Sequence, residues 1–142
     1  MRTREVFVFV RRGERYLVLR RSEVQGGYWH GVAGGIEEGE SPAEAAAREL
    51  AEETGLVAEP ADLERSYVYD GVTVHCFVTD APAGWEPVLD WEHDEVRWCT
   101  VDEADALLHW PEPREVLHEV SEREEAVAPS LSDQVRPRGE AD

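Results

Sequence analysis

One segment fixes most of what this chain can fold into. Residues 41–55, SPAEAAARELAEETG, carry the start and stop signals of a single helix. Ser41 suits the N-cap, Pro42 suits the first helical position, and Glu44 completes a capping box with the serine. Gly55 supplies the residue type that commonly ends a helix in a left-handed conformation. The segment is predicted to be amphipathic because apolar residues recur at helical spacing, at Ala43, Ala47, Leu50 and Ala51.

The rest of the chain contains short apolar runs rich in β-branched and aromatic residues, a composition typical of strands. They are predicted as strands at Glu5–Arg11, Tyr16–Arg20, Arg65–Tyr69, Val72–Thr79 and Glu95–Thr100. A further short segment, Tyr28–Val32, lies between glycine-rich loops, and Asp102–Leu108 and Pro113–Glu125 are predicted to be helices. Strands and helices in this order predict an α+β fold with a mixed sheet flanked by helices.

The length of the chain, 142 residues, fits a single domain with its own core. We assign residues 1–125 to that domain. Pro129–Asp142 is polar, contains Pro, Gly and Ser, and shows no periodicity, so residues 126–142 are predicted to form a disordered tail. The two cysteines, Cys76 and Cys99, lack metal-site spacing and are expected to be reduced and buried.

The charge of the chain limits its partners. Its net charge is −18, from 32 acidic and 14 basic residues. This acidity argues against long nucleic acid and against an anionic membrane surface, although a small phosphorylated substrate is compatible if a metal supplies positive charge. The longest apolar run near the N-terminus, VFVFV, is too short for a signal peptide core or a membrane span. We therefore expect a cytoplasmic protein.

Three glutamates of the predicted helix, Glu49, Glu52 and Glu53, are three or four residues apart and share one face. Like charges at this spacing destabilise a helix by about 0.2–0.5 kcal/mol per pair. A divalent cation removes the repulsion, and Mg²⁺ in particular binds one or two carboxylates together with substrate phosphates. From these residues alone, an Mg²⁺ or Mn²⁺ site and a solvated acidic face of a Glu-rich chain both remain open.

The wider segment GGIEEGESPAEAAARELAEETGL resembles the Nudix box of the Nudix hydrolases. That motif is Gly, five residues, Glu, seven residues, then Arg-Glu-aliphatic-any-Glu-Glu-any-Gly-aliphatic. This chain fills all nine specified positions, with Gly34, Glu40, Arg48, Glu49, Leu50, Glu52, Glu53, Gly55 and Leu56. The resemblance implies the Nudix fold, an α/β/α sandwich. It also implies hydrolysis of a nucleoside diphosphate linked to another moiety, by water attack on phosphorus with Mg²⁺, or alternatively Mn²⁺.

The resemblance also implies roles for individual residues. Glu52 and Glu53 are expected to bind the metal, and Glu49 either binds it or acts as the base. The backbone carbonyl of Ala33 is a further expected metal ligand, in a lead-in that reads Val-Ala-Gly where the family commonly has Pro-Gly-Gly. Glu49, Glu52 and Arg48 form the predicted catalytic set, in which Arg48 holds the glutamates by ion pairing.

Outside the Nudix box, the resemblance implies functional roles for several residues, and each also has a purely structural or solvent-exposed alternative. Arg20 is expected to contact substrate phosphate, or else to be a solvated charge. Glu92, in the segment WEHDEVRW, is expected to add a metal-binding carboxylate, with Glu95 as second choice, or else to lie in a solvated acidic turn. His93 is interpreted as a loop residue. Trp29 either lines the cleft or packs in the core.

The segment LLHWPEPR, with YWHGVAGGIEEGE and EHDEVRW, resembles the subgroup that contains dihydroneopterin triphosphate pyrophosphatase. There Trp110 is expected to stack on a base or pterin ring, unless it packs the last helix onto the sheet. The implied substrate is a nucleoside triphosphate or related compound, cleaved to a monophosphate and pyrophosphate. The alternatives are a dinucleoside polyphosphate or nucleotide-sugar hydrolase, and a non-catalytic nucleotide-sensing domain. The family resemblance also suggests a homodimer.

Overall fold

The computed structural model describes the backbone of residues 3–132 and the side chains of residues 3–123. Seven strands form one sheet: β1 Arg4–Arg12, β2 Arg15–Arg21, β3 Trp29–His30, β4 Val32–Gly35, β5 Ala61–Tyr69, β6 Val72–Asp80 and β7 His93–Cys99. Three α-helices accompany it: α1 Pro42–Thr54, α2 Val101–Leu107 and α3 Pro111–Ser132. The predicted α+β class with a mixed sheet is confirmed.

The sheet is mixed because β1 and β6 run parallel, whereas its other paired strands run antiparallel. The strand order is β3-β2-β1-β6-β5, with β7 paired to β2. Along the other edge of β1, Glu5–Val8 pairs with β4, whereas Arg11 and Arg12 pair with β2. The sheet is therefore split between β4 and β2. Helix α1 packs against β4 and β1 beside this split.

Side chains of β1 alternate between the two faces of the sheet, so the strand contributes to two cores. Val6, Val8 and Val10 pack on the face covered by α1, where Leu50 is fully buried. Phe7 and Phe9 pack on the opposite face against α2 and α3. The result is the expected three-layer arrangement of helix, sheet and helices.

The structure differs from the sequence-based predictions in the buried face of α1 and in the C-terminal end of α3. The buried face of α1 contains Ala45 and Ala46 with Leu50, whereas Ala43 is exposed. The alanines lie on several sides of this helix, so their spacing alone could not identify the buried face. Helix α3 continues to Ser132, beyond the predicted end at Glu125 and into the segment assigned to the tail. The remainder of that segment, residues 133–142, lies outside the described residues, and the tail there stays a prediction.

Strand β5 also begins earlier than predicted, at Ala61. Its register with β6 shifts between Asp62 and Arg65, and Glu64 within this bulge has a φ of 55°. A bulge breaks the alternation of exposed and buried residues, which explains why the pattern predicted only the second half of the strand. Within the described residues, no helix combines the length and the apolar character needed to cross a membrane.

Candidate active site

Helix α1 carries the predicted glutamates, and both of its ends are fixed as expected. The Glu44 N–H donates to Ser41 Oγ at 3.1 Å, and the Ser41 N–H donates to Glu44 Oε1 at 2.9 Å. Gly55 ends the helix with a φ of 82°. The helix therefore holds its second half in a fixed rotation against the sheet, with Leu50 buried beneath it.

The three glutamates differ in their environments, although they share one helix face. The exposed fraction of the side chain is 4% for Glu53, 12% for Glu49 and 56% for Glu52. The row of carboxylates therefore runs from the protein interior to solvent. A buried carboxylate needs a hydrogen-bond donor or a cation nearby, so Glu53 and Glu49 carry most of the unfavourable charge.

Gly34 makes room for the Glu49 carboxylate. A Cβ atom at Gly34 would lie 2.6 Å from Glu49 Oε1 and closer still to Oε2. Any larger residue at this position would require the Glu49 carboxylate to move. The glycine requirement that the motif places at this position is thus explained by space for the carboxylate.

Glu53 lies against the edge of β4. The Ala33 N–H donates a hydrogen bond to Glu53 Oε1 at 3.3 Å. Burial raises the pKa of the Glu53 carboxyl well above its usual range, and the neighbouring Glu49 raises it further. Glu49, Glu53 and the Ala33 N–H are therefore gathered in one partly buried place where negative charge is unfavourable.

This donor set fits a hard divalent cation, since carboxylate and backbone oxygens are the ligands that Mg²⁺ prefers and its charge would relieve the repulsion. Among the described side chains, those of residues 3–123, however, no three acidic, histidine or cysteine side chains already converge on one cation position. Arg48 accounts for this, because its Nη1 contacts Glu49 at 3.0 Å and Glu52 at 3.4 Å. Glu52 would have to leave Arg48 to join a metal.

Arg48 is itself anchored on the loop before α1. Its Nε and Nη2 donate to the two carboxylate oxygens of Glu40 at 2.7 and 2.9 Å, and Nη2 also donates to the Gly35 carbonyl at 2.9 Å. The bonds from Arg48, followed by the Glu37 N–H, lower the pKa of Glu40 to about 2. Arg48 is thus ion-paired with Glu40 on one side and with the glutamates of α1 on the other, and the catalytic roles of Arg48 and Glu40 stay predictions.

His93 is the residue near the glutamates that the sequence did not reveal. It begins β7 rather than lying in a loop, and its side chain is only 1% exposed. Its Nδ1 is 2.9 Å from Asp90 Oδ1, and its Nε2 is 3.9 Å from Glu53 Oε1. The spacing of Asp90 and His93 was visible in the sequence, but their burial beside α1 depends on the tertiary fold.

Two predicted site residues make other contacts. Glu92 Oε1 lies 3.9 Å from Arg21 Nη1, and the Glu92 carbonyl accepts a hydrogen bond from the Ser22 N–H at 2.9 Å. Arg20 pairs with Asp94 at 2.7 Å and also with Glu23. Among the described contacts, neither Glu92 nor Arg20 is hydrogen-bonded to the glutamates of α1, so their roles stay predictions.

The two predicted aromatic residues lie on the opposite face of the sheet from α1. Trp29 packs against the core there, and the Arg97 guanidinium lies 4.9 Å from its ring centroid. The Trp29 carbonyl accepts a hydrogen bond from the His109 N–H at 3.1 Å. Trp110 follows directly and contacts the rings of His109 and Tyr69, at centroid distances of 4.4 and 4.6 Å. Both tryptophans thus have packing partners and are only partly buried.

Comparison with known proteins identifies the family. The NUDIX domain model matches residues 1–120. The chain is 36% identical over 127 residues to an octanoyltransferase of Myxococcus xanthus, a match that covers 82% of this chain but only 36% of that protein. The structure resembles the dihydroneopterin triphosphate pyrophosphohydrolase of E. coli, with a TM-score of 0.76, 22% identity and coverage of 86% and 97% of the two chains. It also resembles the MutT protein of Methanosarcina mazei, with a TM-score of 0.68, 27% identity and coverage of 87% and 94%. The chain therefore belongs to the NUDIX domain family.

Proposed function

We propose that this protein is a metal-dependent pyrophosphohydrolase that cleaves a nucleoside triphosphate, or a related nucleoside diphosphate derivative, to a monophosphate and pyrophosphate. The observation that carries this proposal is the convergence of Glu49, Glu53 and the Ala33 backbone. Arg48 already offsets the charge of Glu49, but burial still disfavours the ionised Glu53 carboxylate. A bound divalent cation would relieve that cost and would also attract substrate phosphates. An acidic face with no ligand does not require two nearly buried carboxylates.

The metal would be held by Glu49, Glu52, Glu53 and the Ala33 carbonyl, and Glu92 is the further ligand that we propose. Bound Mg²⁺ would neutralise phosphate charge and lower the pKa of a bound water. Water attack on one phosphorus breaks its bond to the bridging oxygen, which leaves with the second product.

The chain's own residues perform the remaining tasks. We propose that either Glu49 or Glu52 accepts the proton of the attacking water. Glu52 is more exposed than Glu49, so a proton that it accepts has a direct path to solvent. In the structure Arg48 pairs with both carboxylates and is itself held by Glu40, and its pair with Glu52 would be released when Glu52 joins the metal. These ion pairs support our assignment of Arg48 as a positioning residue rather than a phosphate ligand.

Substrate contacts are proposed outside the box. Arg20 would exchange Asp94 or Glu23 for a substrate phosphate, since both of its present partners are carboxylates. Trp29 and Trp110 would contact the base. A cytoplasmic location, expected from the sequence, and a homodimer, suggested by the family resemblance, complete the proposal.

A hydrolysis panel with and without Mg²⁺ tests the proposal. It includes nucleoside triphosphates, dihydroneopterin triphosphate, dinucleoside polyphosphates and nucleotide sugars, with both products identified. We expect Mg²⁺-dependent release of pyrophosphate from a triphosphate by the wild type. Glu53→Gln should be inactive, and Glu38→Gln should be active because Glu38 is an exposed loop glutamate of the same segment. A folded wild type that cleaves nothing in the panel would contradict the proposal and favour the sensing domain.

A further inference from the structure

The loop between β6 and β7, residues 81–92, is fastened to the sheet by one of its glutamates. Glu86 Oε2 lies 2.7 Å from Arg12 Nη1, and Glu86 Oε1 accepts a hydrogen bond from the Trp98 indole N–H at 3.2 Å. The Arg12 guanidinium lies 4.1 Å from the centroid of the Trp98 ring and also donates to the Trp85 carbonyl. We call Glu86, Arg12 and Trp98 the Glu86 clamp. It joins the loop to the end of β1 and to β7.

Two residues after Glu86, the loop is bonded to the last turn of α1. The Val88 N–H donates to the Thr54 carbonyl at 2.8 Å, and a Cβ atom at Gly55 would lie 3.6 Å from Val88 Cβ. Carbonyls in the last turn of a helix have no partner within the helix, and Thr54 is fully buried. Val88 therefore satisfies a carbonyl that water does not reach, on the residue that directly follows Glu53.

The same segment then reaches Glu53 itself. Asp90 Oδ1 is 2.9 Å from His93 Nδ1, and His93 Nε2 is 3.9 Å from Glu53 Oε1. Glu86, Val88 and Asp90 are spaced two residues apart, and two residues span at most about 7 Å of chain. The loop therefore has little slack between the Glu86 clamp and the two places where it meets the end of α1.

Stability of the whole fold gives a weaker account of the Glu86 clamp. The side chain of Glu86 is 65% exposed, and that of Arg12 is 33% exposed. Exposed ion pairs contribute little to global stability, because water and salt screen them. Such contacts instead act locally, on how often a segment opens while the rest of the protein stays folded.

We propose that Glu86 is a positioning residue that controls the affinity of the proposed metal site by holding the 81–92 loop against the end of α1. The proposal rests on the function proposed above, because it concerns the same glutamates. When only part of a population is competent to bind, the apparent affinity for the ligand falls in proportion to that part. Release of the Glu86 clamp would free Val88 and Asp90, and it would weaken Mg²⁺ binding although every proposed metal ligand is still present.

The first test uses the wild-type protein and follows hydrogen exchange at the Val88 amide. Coupling between two sites is reciprocal, so Mg²⁺ at the glutamates should stabilise the closed loop. We expect exchange at Val88 to be about 3-fold slower or more in Mg²⁺ than in EDTA. The His109 amide is the control, because it is bonded to the Trp29 carbonyl at 3.1 Å on the opposite face of the sheet and should not respond. Bound Mg²⁺ without slower exchange at Val88 would overturn the proposal.

The second test releases the Glu86 clamp. Glu86→Ala removes both side-chain contacts and should weaken Mg²⁺ binding about 3–30-fold, the range for residues that couple two parts of a protein without touching the ligand. Glu86→Gln keeps an oxygen for Trp98 but loses the ion pair, so its effect should be smaller. Glu119→Gln is the matched control, because Glu119 forms a comparable ion pair with Arg65, at 2.8 Å, away from the loop. Calorimetric titration with Mg²⁺ measures the affinity, and thermal melts in EDTA measure the stability.

A positioning role and a merely structural role give different results. A positioning role weakens Mg²⁺ binding, speeds exchange at Val88 and leaves rates at saturating Mg²⁺ close to those of the wild type. A structural role lowers the Tm in EDTA and leaves the Mg²⁺ dissociation constant unchanged. Unchanged Mg²⁺ affinity in Glu86→Ala therefore overturns the proposal, whatever happens to the Tm. If Glu86→Ala does not fold, Glu86→Gln and the wild-type exchange rates decide.

The same titrations separate this inference from the proposed function. A wild type that binds Mg²⁺ and hydrolyses a triphosphate, with unchanged affinity in Glu86→Ala, refutes the role of Glu86 and leaves the proposed function standing. Mg²⁺ binding that depends on Glu86, without hydrolysis of any compound in the panel, contradicts the enzymatic proposal and leaves the role of Glu86 standing. A wild type that does not bind Mg²⁺ refutes both.

Discussion

The carboxylate of Glu49 occupies the space that a side chain at Gly34 would need. A Cβ atom at Gly34 would be 2.6 Å from Glu49 Oε1, far inside van der Waals contact. Gly34 is part of β4, so its backbone cannot move away without disturbing the pairing of β4 with β1. The position of one proposed metal ligand therefore depends on the absence of a side chain on the neighbouring strand.

Gly34→Ala should displace the Glu49 carboxylate and lower turnover by about 100-fold or more, since misplacing a reacting group by 1 Å has effects of this size. It should also lower the free energy of unfolding by about 1–3 kcal/mol, the usual cost of overpacking. Steady-state kinetics and urea denaturation measure the two effects. In a Glu49→Ala background the same Gly34→Ala change should cost little stability, because the clash is gone. An equal cost in both backgrounds would show that the strain has another source.

The burial of Glu53 predicts that metal binding raises the thermal stability of the protein. Its folded-state pKa is raised by burial and by Glu49, so ionising it opposes folding as pH rises above its ordinary pKa of 4.5. Bound Mg²⁺ should reverse this effect and raise the Tm at neutral pH, by an amount equivalent to about 2.7 kcal/mol at a concentration of 100 Kd. Glu53→Gln should match or exceed the wild-type Tm in EDTA, gain little from Mg²⁺, and lose turnover by orders of magnitude.

Thermal melts with EDTA and with Mg²⁺ across neutral pH provide the measurement. Glu38→Gln is the control, and it should respond to Mg²⁺ as the wild type does. A Glu53→Gln protein whose Tm rises with Mg²⁺ as much as the wild-type Tm would remove Glu53 from the proposed metal ligands.

The Arg48–Glu40 ion pair is predicted to lose its contribution to stability in acid, whereas the unfavourable charge of Glu53 is relieved in acid. The pKa of Glu40 falls from 4.5 to about 2, so its contribution to stability is complete above pH 4.5 and is lost as pH falls toward 2. Glu40→Gln should therefore lower the Tm at pH 7, and the difference from wild type should vanish near pH 2. Melts in EDTA between these pH values measure it. A difference that stays constant across the range would mean that the ion pair does not stabilise the fold.

The sequence predicted those parts of the site that depend on local chemistry. The ends of α1 were predictable because Ser41, Glu44 and Gly55 act on the backbone next to them. The grouping of the glutamates was predictable because helical spacing alone puts them on one face. Effects of the tertiary fold were not predictable. Glu53 is buried and Glu52 is exposed because of the positions of β4 and β7, which are distant from α1 in sequence.

His93 shows the same limit most clearly. A lone histidine in an acidic segment gives no sign that it will be buried, and it was interpreted as a loop residue. Its burial follows from the pairing of β7 with β2, in which His93 is opposite Arg21, next to a register shift. That irregularity re-aims the end of the strand, an effect that sequence alternation does not predict.

The Asp90–His93 pair is expected to position Glu53 for metal binding. Asp90 holds His93 Nδ1 at 2.9 Å, and His93 Nε2 then faces Glu53 Oε1 at 3.9 Å, where both side chains are almost fully buried. Residues that orient a metal ligand typically change metal affinity by about 10–100-fold when mutated. His93→Gln should therefore weaken Mg²⁺ binding within this range and raise the Mg²⁺ concentration needed for half-maximal activity, while rates at saturating Mg²⁺ recover.

The chain offers a matched control in its second histidine–aspartate pair, His118 and Asp105, which are 3.1 Å apart and about half exposed. His118→Gln should leave Mg²⁺ binding unchanged. Calorimetric titration of Mg²⁺ into both variants and the wild type makes the comparison, with the Tm in EDTA as a check on folding. If His93→Gln lowers the Tm but binds Mg²⁺ as tightly as the wild type, His93 supports the core beneath α1 and does not position Glu53. If Mg²⁺ affinity falls and the Tm in EDTA is preserved, the histidine acts through the glutamate.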